Sequence, residues 1–361
     1  MTSQSRTVYC IGCGEHYDVS SIRWVDDQGN VGEPNPAYGA EVLTEELRMK
    51  QNRWFAQKLQ PQCIQGDLLP DAVGNVPWLG MALVGEIGSG KTSFVRSLRR
   101  ELKEGQAAAA FGISGQLASS SEGLWERRYL PDEPTRRPAD GPRPVYQPVI
   151  FEIHDDRNNK HMANILIWDP AGELTKSEAL LAEHMPALSA TQSRVVFVPP
   201  GVMEGVPGVN LETEERVTVE ETERILHALA KFQARPTSQE EVNTTLVILS
   251  KADCYGASPG FPKHVLAPRA YADGIRYEVL DDLIADSVEL HDFLLRRAEA
   301  RWLINAAKKL GSPYFLAISG TAMTNVERSR MVNEPVGVMD PLIIAMARAG
   351  LLPETPTGRV A

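Results

Sequence analysis

Eight residues, Gly85-Glu86-Ile87-Gly88-Ser89-Gly90-Lys91-Thr92, separate an apolar run (Trp78-Leu79-Gly80-Met81-Ala82-Leu83-Val84) from an amphipathic pattern carrying Phe94, Val95, Leu98 and Leu102. They match G-x-x-x-x-G-K-[ST], the pattern of a phosphate-binding loop, in the context that pattern requires: a buried strand before it and a helix after it. The glycines let successive backbone N–H groups turn inward around an anion. Lys91 adds a point charge for β- and γ-phosphates, and Thr92 offers a hydroxyl to Mg²⁺. The helix that follows aims its positive end at the same place, so nucleotide contacts are expected from Gly85 through Ser93. A Gly-rich turn without such a task would not need Lys and Thr together.

The rest of the chain supplies the architecture this loop belongs to. Apolar runs at 79–84, 148–153, 164–168, 194–199, 245–250 and 314–319 alternate with helical patterns near 93–104, 176–188, 213–234, 281–310 and 339–350. That alternation predicts an α/β fold, a mostly parallel six-stranded sheet with helices on both faces. Asp340-Pro341 starts the last helix and Gly350 ends it. The stretch 111–147, rich in Ser, Gly, Pro, Arg and Glu, reads as a long functional or disordered connection. The organisation expected is an N-terminal accessory segment over 1–77, one nucleotide-binding domain over 78–352 and a disordered tail over 353–361.

A second chemical motif ends the run Asn164-Ile165-Leu166-Ile167-Trp168: Asp169-Pro170-Ala171-Gly172-Glu173. A carboxylate at the C-terminal end of a strand beside the phosphate loop lies where ligands bind in such sheets, and can hold Mg²⁺ directly or through water. Gly172 permits its N–H to approach a γ-phosphate closely, and that contact can order the segment until hydrolysis releases it. The simpler reading is a strand-ending turn, since Asp, Pro and Gly all favour turns. Its position after a phosphate loop favours the chemical one. Glu173 stands where many Ras-like GTPases, whose Asp-x-x-Gly motif this segment resembles, carry the Gln that orients attacking water. A carboxylate accepts from water but cannot donate as an amide can, so slow intrinsic hydrolysis is expected, improved by a partner that supplies a cation.

Leu246-Val247-Ile248-Leu249 leads into Ser250-Lys251-Ala252-Asp253, which resembles the [NT]KxD base-recognition box of GTPases with Ser in first place. A carboxylate accepts from guanine N1–H and the 2-amine together, whereas adenine presents an acceptor at N1 and no 2-amine. An aspartate buried against adenine would be left unpaired. The stem of Lys251 can lie against the base or the phosphate loop. A further strand, Tyr314-Phe315-Leu316-Ala317-Ile318, ends in Ser319-Gly320-Thr321, which looks like the short box whose backbone touches guanine O6; a plain strand-to-loop turn fits it equally well.

Composition narrows the partners. Across 361 residues the formal net charge is −10, with no dense Lys/Arg tract, which argues against nucleic acid as the main partner. No apolar stretch is long enough to span a bilayer and the N-terminus lacks a leader's apolar region, so a cytoplasmic location is expected. Four cysteines at uneven spacing do not form a disulfide framework. Cys10-x-x-Cys13 is half of a tetrahedral zinc site, with Cys63 and His16 as the remaining donors at hand; small buried or exposed residues are the competing reading. Ras-like switches, which these motifs resemble, complete Mg²⁺ coordination with a Thr from the long connection; Thr135 is the candidate here, with Ser119–Ser121 as competitors. Arg136 or Arg137 could serve as an internal arginine finger, against the simpler reading of a solvated loop.

Phosphate loop, Asp-x-x-Gly, Lys-x-Asp and Ser-Gly each end an apolar strand and follow the order of Ras-like GTPases, with insertions around 111–147, 200–215 and from Asp253 to about Tyr277. Together they resemble the TRAFAC class of GTPases. With the N-terminal Cys-x-x-Cys, the strand ending Trp168-Asp169-Pro170-Ala171-Gly172-Glu173 and Ser250-Lys251-Ala252-Asp253, they look like the prokaryotic double-GTPase family. The resemblance implies GTP and GDP as ligands, Mg²⁺ as cofactor, and a companion GTPase, effector or GTPase-activating protein as partner, in multi-component systems thought to act in conflict or defence. The Ser in the base box and the unmatched ribbon cysteine depart from that pattern.

Overall fold

A computed structural model describes residues 7–10, 16–26, 28–33, 59–66, 76–118, 121–129, 148–156, 160–170, 172–184, 191–203, 205–208, 218–233, 244–267, 276–320, 322–323, 331–332 and 335–352, with isolated positions between them. Its contacts divide the chain into two compact units, Met1–Trp78 and Leu79–Ala361.

The first unit is built from very short strands. β1 (Thr7–Tyr9) pairs antiparallel with β2 (His16–Asp18), and β3 (Arg23–Val25) lies between β4 (Val31–Gly32) and β5 (Gln60–Gln62). The β3–β4 turn is held by Asp26, whose carboxylate accepts from the N–H groups of Gln28 and Asn30 at 2.9 and 2.8 Å. Cys10, Ile22, Trp24, Cys63 and Leu69 form a small buried cluster.

The second unit carries a seven-stranded sheet. β6 (Trp78–Val84) runs into α1 (Lys91–Glu104) and α2 (Gln106–Ala110). Then come β7 (Ile113–Leu117), α3 (Glu122–Arg128), β8 (Val149–Asp155), β9 (Lys160–Trp168) and a 3₁₀ turn over Gly172–Lys176. The chain continues through α4 (Glu178–His184), β10 (Ser193–Val198), α5 (Val219–Gln233), β11 (Thr244–Ser250), α6 (Arg276–Leu295) and α7 (Arg301–Lys308). It closes with β12 (Tyr314–Ile318), the small antiparallel pair β13 (Ala322–Met323) and β14 (Met331–Val332), and α8 (Asp340–Arg348). Strand order in the sheet is β12-β11-β10-β6-β9-β8-β7. β12, β11, β10 and β6 are parallel to their neighbours in that group, and β8 pairs antiparallel with both β9 and β7.

The α/β class therefore stands, but the sheet has seven strands and is mixed, not six and mostly parallel. The extra strand is β7, inside the stretch read as a long connection; α3 lies there too. Ser114, Gly115 and Gln116 interrupt any apolar run, so periodicity does not report it. Gly115 is small because α1 passes over it: a Cβ there would lie 3.1 Å from Leu102 and 3.0 Å from Ile153. The helical pattern at 281–310 is likewise not one helix but α6, a short 3₁₀ turn and α7.

β10 and β11 are buried at every residue, the mark of a parallel sheet covered on both faces. On one face Leu79, Met81 and Leu83 join Phe94, Val95, Leu98 and Leu102 of α1 and Leu342 through Met346 of α8 in the main core. The order reverses about β6: the chain leaves it first toward β9, β8 and β7, then crosses to β10, β11 and β12. Ligands sit beyond the carboxyl ends of strands at such a reversal. No helix among the described residues is long and apolar enough to cross a membrane.

Candidate functional site

The loop between β6 and α1 supplies the first wall. Gly88 and Gly90 have φ of 77° and 95°, a left-handed backbone that side chains disfavour, and Gly90 caps α1 so that Lys91 and Thr92 open its first turn. Lys91 is buried, 6 % exposed. Its ammonium donates to the carbonyls of Gly85 at 2.5 Å and Glu86 at 2.9 Å and reaches Ser89 Oγ at 3.4 Å. A buried cation folded over a loop of glycines and the start of a fourteen-residue helix has the chemistry to cradle an anion.

Gly172 arrives from the end of β9. A Cβ on it would lie 2.6 Å from Ile87 N and 2.9 Å from the Glu86 carbonyl carbon, so the Asp-x-x-Gly segment touches the loop backbone and only glycine fits. Thr175 Oγ1 donates to the Gly172 carbonyl at 2.7 Å and steadies the 3₁₀ turn. Thr92 Oγ1 donates to Asp169 Oδ2 at 3.2 Å across 77 residues of sequence, and Asp169 is 2 % exposed.

A hydroxyl and a carboxylate on hard oxygen, beside an anion cradle, fit Mg²⁺ bound together with phosphates, which takes only one or two protein oxygens. No group of three His, Cys, Asp or Glu side chains suited to a metal gathers among the described residues. Cys10 and Cys63 are both fully buried in their cluster of the first unit; Cys13 lies outside the described residues. Thr135, Ser119, Ser120, Arg136 and Arg137 also lie outside them, and nothing is described of the Glu173 side chain. Ser121 accepts from the Ile150 N–H at 3.0 Å, a structural use of its hydroxyl in joining α3 to β8.

The far wall comes from β11 and β12. Ser250 lies against the loop: a Cβ on Gly90 would be 3.8 Å from Ser250 Cβ. Its hydroxyl donates to the Val198 carbonyl at 3.3 Å. Lys251 is the non-glycine residue with positive φ, 51°, among the described residues, a conformation that costs of order 1–3 kcal/mol and clusters at ligand sites. Ser319 Oγ donates to Asp253 Oδ1 at 2.5 Å, joining two motifs 66 residues apart at the ends of adjacent strands. Backbone pairing of Ser319 with Val336, at 3.2 and 2.9 Å, fixes that serine, and Gly320 follows it in an open position.

Two features escaped the sequence reading. Tyr129, just after α3, brings its hydroxyl to 3.5 Å from Asp169 Oδ2; burial first, then the Asp169 charge, pushes its phenol far above the ordinary range. It belongs to no motif, and only an aromatic pair with Trp125 in a polar stretch hinted at a packed element.

The second is an ion-pair chain. Lys176 lies 3.2 Å from Glu86 in the loop and 3.2 Å from Glu221 on α5. Glu221 also closes a capping box with Thr218, each side chain accepting the other's N–H at 3.3 Å. Glu86 is 5 % exposed. Burial raises its carboxyl above the ordinary range, more than Lys176 lowers it. Burial pulls the Lys176 ammonium down and its two carboxylate partners outweigh that.

The sign for Glu86 follows from linkage. A carboxyl raised in the folded state favours folding below its unfolded pKa, near the ordinary glutamate value, and loses that contribution as pH rises through the folded one. Glu86→Gln is therefore expected to gain stability relative to the wild type as pH climbs from about 4 toward 7. Urea unfolding across that window checks this; a difference flat in pH would contradict it.

No family model matches the chain, and no curated protein matches it. Among solved structures, the crystal structure of a bacterial selenocysteine-specific elongation factor, EF-Sec, is 11 % identical, covering 68 % of this chain and 26 % of that one, with a TM-score of 0.28. This chain thus spans about a quarter of that structure's length. A likeness at that score carries no weight for fold or activity.

Proposed function

We propose that this chain is a Ras-like P-loop GTPase: a GTP-binding switch that hydrolyses GTP to GDP and phosphate with Mg²⁺ at a slow intrinsic rate, acting with a partner. The observation that carries it is the Ser319–Asp253 bond at 2.5 Å, in the segment that follows Ser250, whose Cβ lies 3.8 Å from a Cβ placed on Gly90 of the phosphate loop. A serine that donates to one oxygen of Asp253 orients the carboxylate, and a carboxylate so oriented suits a base that donates at N1 and at a 2-amine, which is guanine.

The roles follow from position. Lys91 and the N–H groups from Gly85 through Ser93 hold phosphates, Gly172 meets the terminal phosphate, and Thr92 with Asp169 would hold Mg²⁺. The metal, when bound, neutralises charge developing on the phosphoryl oxygens. Ser250, Lys251, Asp253, Ser319 and Gly320 form the base side. Glu173 follows Gly172 and supplies a carboxylate where an amide would orient water better. The partner is then a companion GTPase, effector or activating protein that brings the missing cation, as the family resemblance implies, in a prokaryotic conflict or defence system.

Single-turnover phosphate release from GTP tests this. The wild type should be slow without a partner, and Glu173→Gln faster by at least about tenfold, equivalent to 1.4 kcal/mol of barrier. A fast wild type that Glu173→Gln does not improve would contradict the role given to Glu173. The same residue favours a second reading, a GTP-binding scaffold with negligible hydrolysis; in that case nucleotide binds and no phosphate appears. Release from ATP equal to that from GTP would mark a P-loop ATPase instead.

A further inference from the structure

We propose that Tyr129 is a positioning residue of the cation site: its hydroxyl and that of Thr92 together hold Asp169 Oδ2, leaving Oδ1 as the oxygen presented to a divalent cation or its water. This rests on the nucleotide-binding reading above and adds to it a residue that belongs to none of its motifs.

Three observations carry it. Both hydroxyls address one carboxylate oxygen, Thr92 at 3.2 Å and Tyr129 at 3.5 Å, and a carboxylate 2 % exposed has little water to replace them. The Tyr129 contact is long for O–H···O.

Next, Tyr129 is fixed. Its ring stacks on Trp125 with centroids 4.7 Å apart, Trp125 meets Phe151 of β8 edge-on at 6.2 Å, and the Arg99 guanidinium lies over Trp125 at 4.4 Å. Arg96 Nε donates to the Tyr129 carbonyl at 2.6 Å.

Finally, Arg96 and Arg99 sit on α1, the helix whose first turn carries Lys91 and Thr92. One helix therefore places both donors on the carboxylate that ends β9. Outer partners of this kind hold a metal ligand in one orientation, and losing one costs roughly 10–100-fold in metal affinity.

The test measures release of a fluorescent GTP analogue from the full chain over a range of Mg²⁺ concentrations, with Tyr129→Phe beside the wild type. Phenylalanine keeps the ring and its stack, so folding is preserved and the unfolding midpoint is the control. The variant should need about tenfold more Mg²⁺ for half-maximal slowing of release, while its Mg²⁺-free affinity matches the wild type. A Mg²⁺ concentration for half-maximal slowing that is unchanged or lower, or an equal loss of affinity without the cation, overturns the proposal. If wild type shows slow, Mg²⁺-dependent release and Tyr129→Phe does the same, only this inference fails. If wild type does not bind the analogue, the nucleotide-binding reading fails with it.

Discussion

Asp253→Asn is expected to weaken guanine nucleotide binding by about 3 kcal/mol or more, roughly a hundredfold, and to create affinity for xanthine nucleotide. The loss follows from replacing an ionised acceptor that serves two base donors at once, each charge-assisted bond contributing about 1.5–3 kcal/mol. The gain follows from the neighbour. Ser319 Oγ donates to Asp253 Oδ1, so an asparagine keeps its carbonyl oxygen on Ser319 and turns its amine toward the base. Xanthine carries a carbonyl where guanine carries the 2-amine, and that carbonyl accepts from the new donor. Competition of guanine and xanthine nucleotides for one fluorescent probe reads both halves. A variant that keeps guanine affinity and ignores xanthine would remove Asp253 from the base pocket.

Lys91→Ala is expected to cost about 3 kcal/mol or more in nucleotide affinity, two orders of magnitude in Kd, by leaving buried phosphate charge unpaired. The same ammonium also ties the carbonyls of Gly85 and Glu86 to the start of α1, so the unfolding midpoint is measured beside the titration. A loss of affinity at an unchanged midpoint is the signature of a ligand contact. Affinity equal to the wild type would mean that the loop does not hold phosphate through this residue.

What could be read before folding was whatever repeats or whatever motif chemistry demands. The strands at 78–84, 193–198 and 244–250 carry apolar runs such as Val195–Val198 and Leu246–Leu249 because both their faces are covered, and such runs are visible in sequence. β7 was invisible because an edge strand crossed by a helix at Gly115 has no need of an apolar run, whereas its neighbours β8 and β9 showed as the runs at 148–153 and 164–168. At the site, the spacing of Gly90, Lys91 and Thr92 is dictated by one turn of helix, so it shows as a motif. The Lys176–Glu86–Glu221 chain and the Tyr129–Asp169 contact depend on distant elements meeting in space, and no local pattern encodes that. The Asp253–Ser319 bond lies between the two cases: each residue was named, but the bond needs adjacent strands to bring 66 residues of separation down to 2.5 Å.

The central claim is a single pocket, walled by the phosphate loop, the Asp-x-x-Gly turn and the two boxes ending β11 and β12, that takes a guanine nucleotide. Calorimetric titration of the wild-type chain with GTP, GDP and ATP, each with Mg²⁺, tests it most directly. The account predicts saturable binding of both guanine nucleotides, with ATP at least about a hundredfold weaker. No heat with either guanine nucleotide, or equal affinity for ATP, would contradict it.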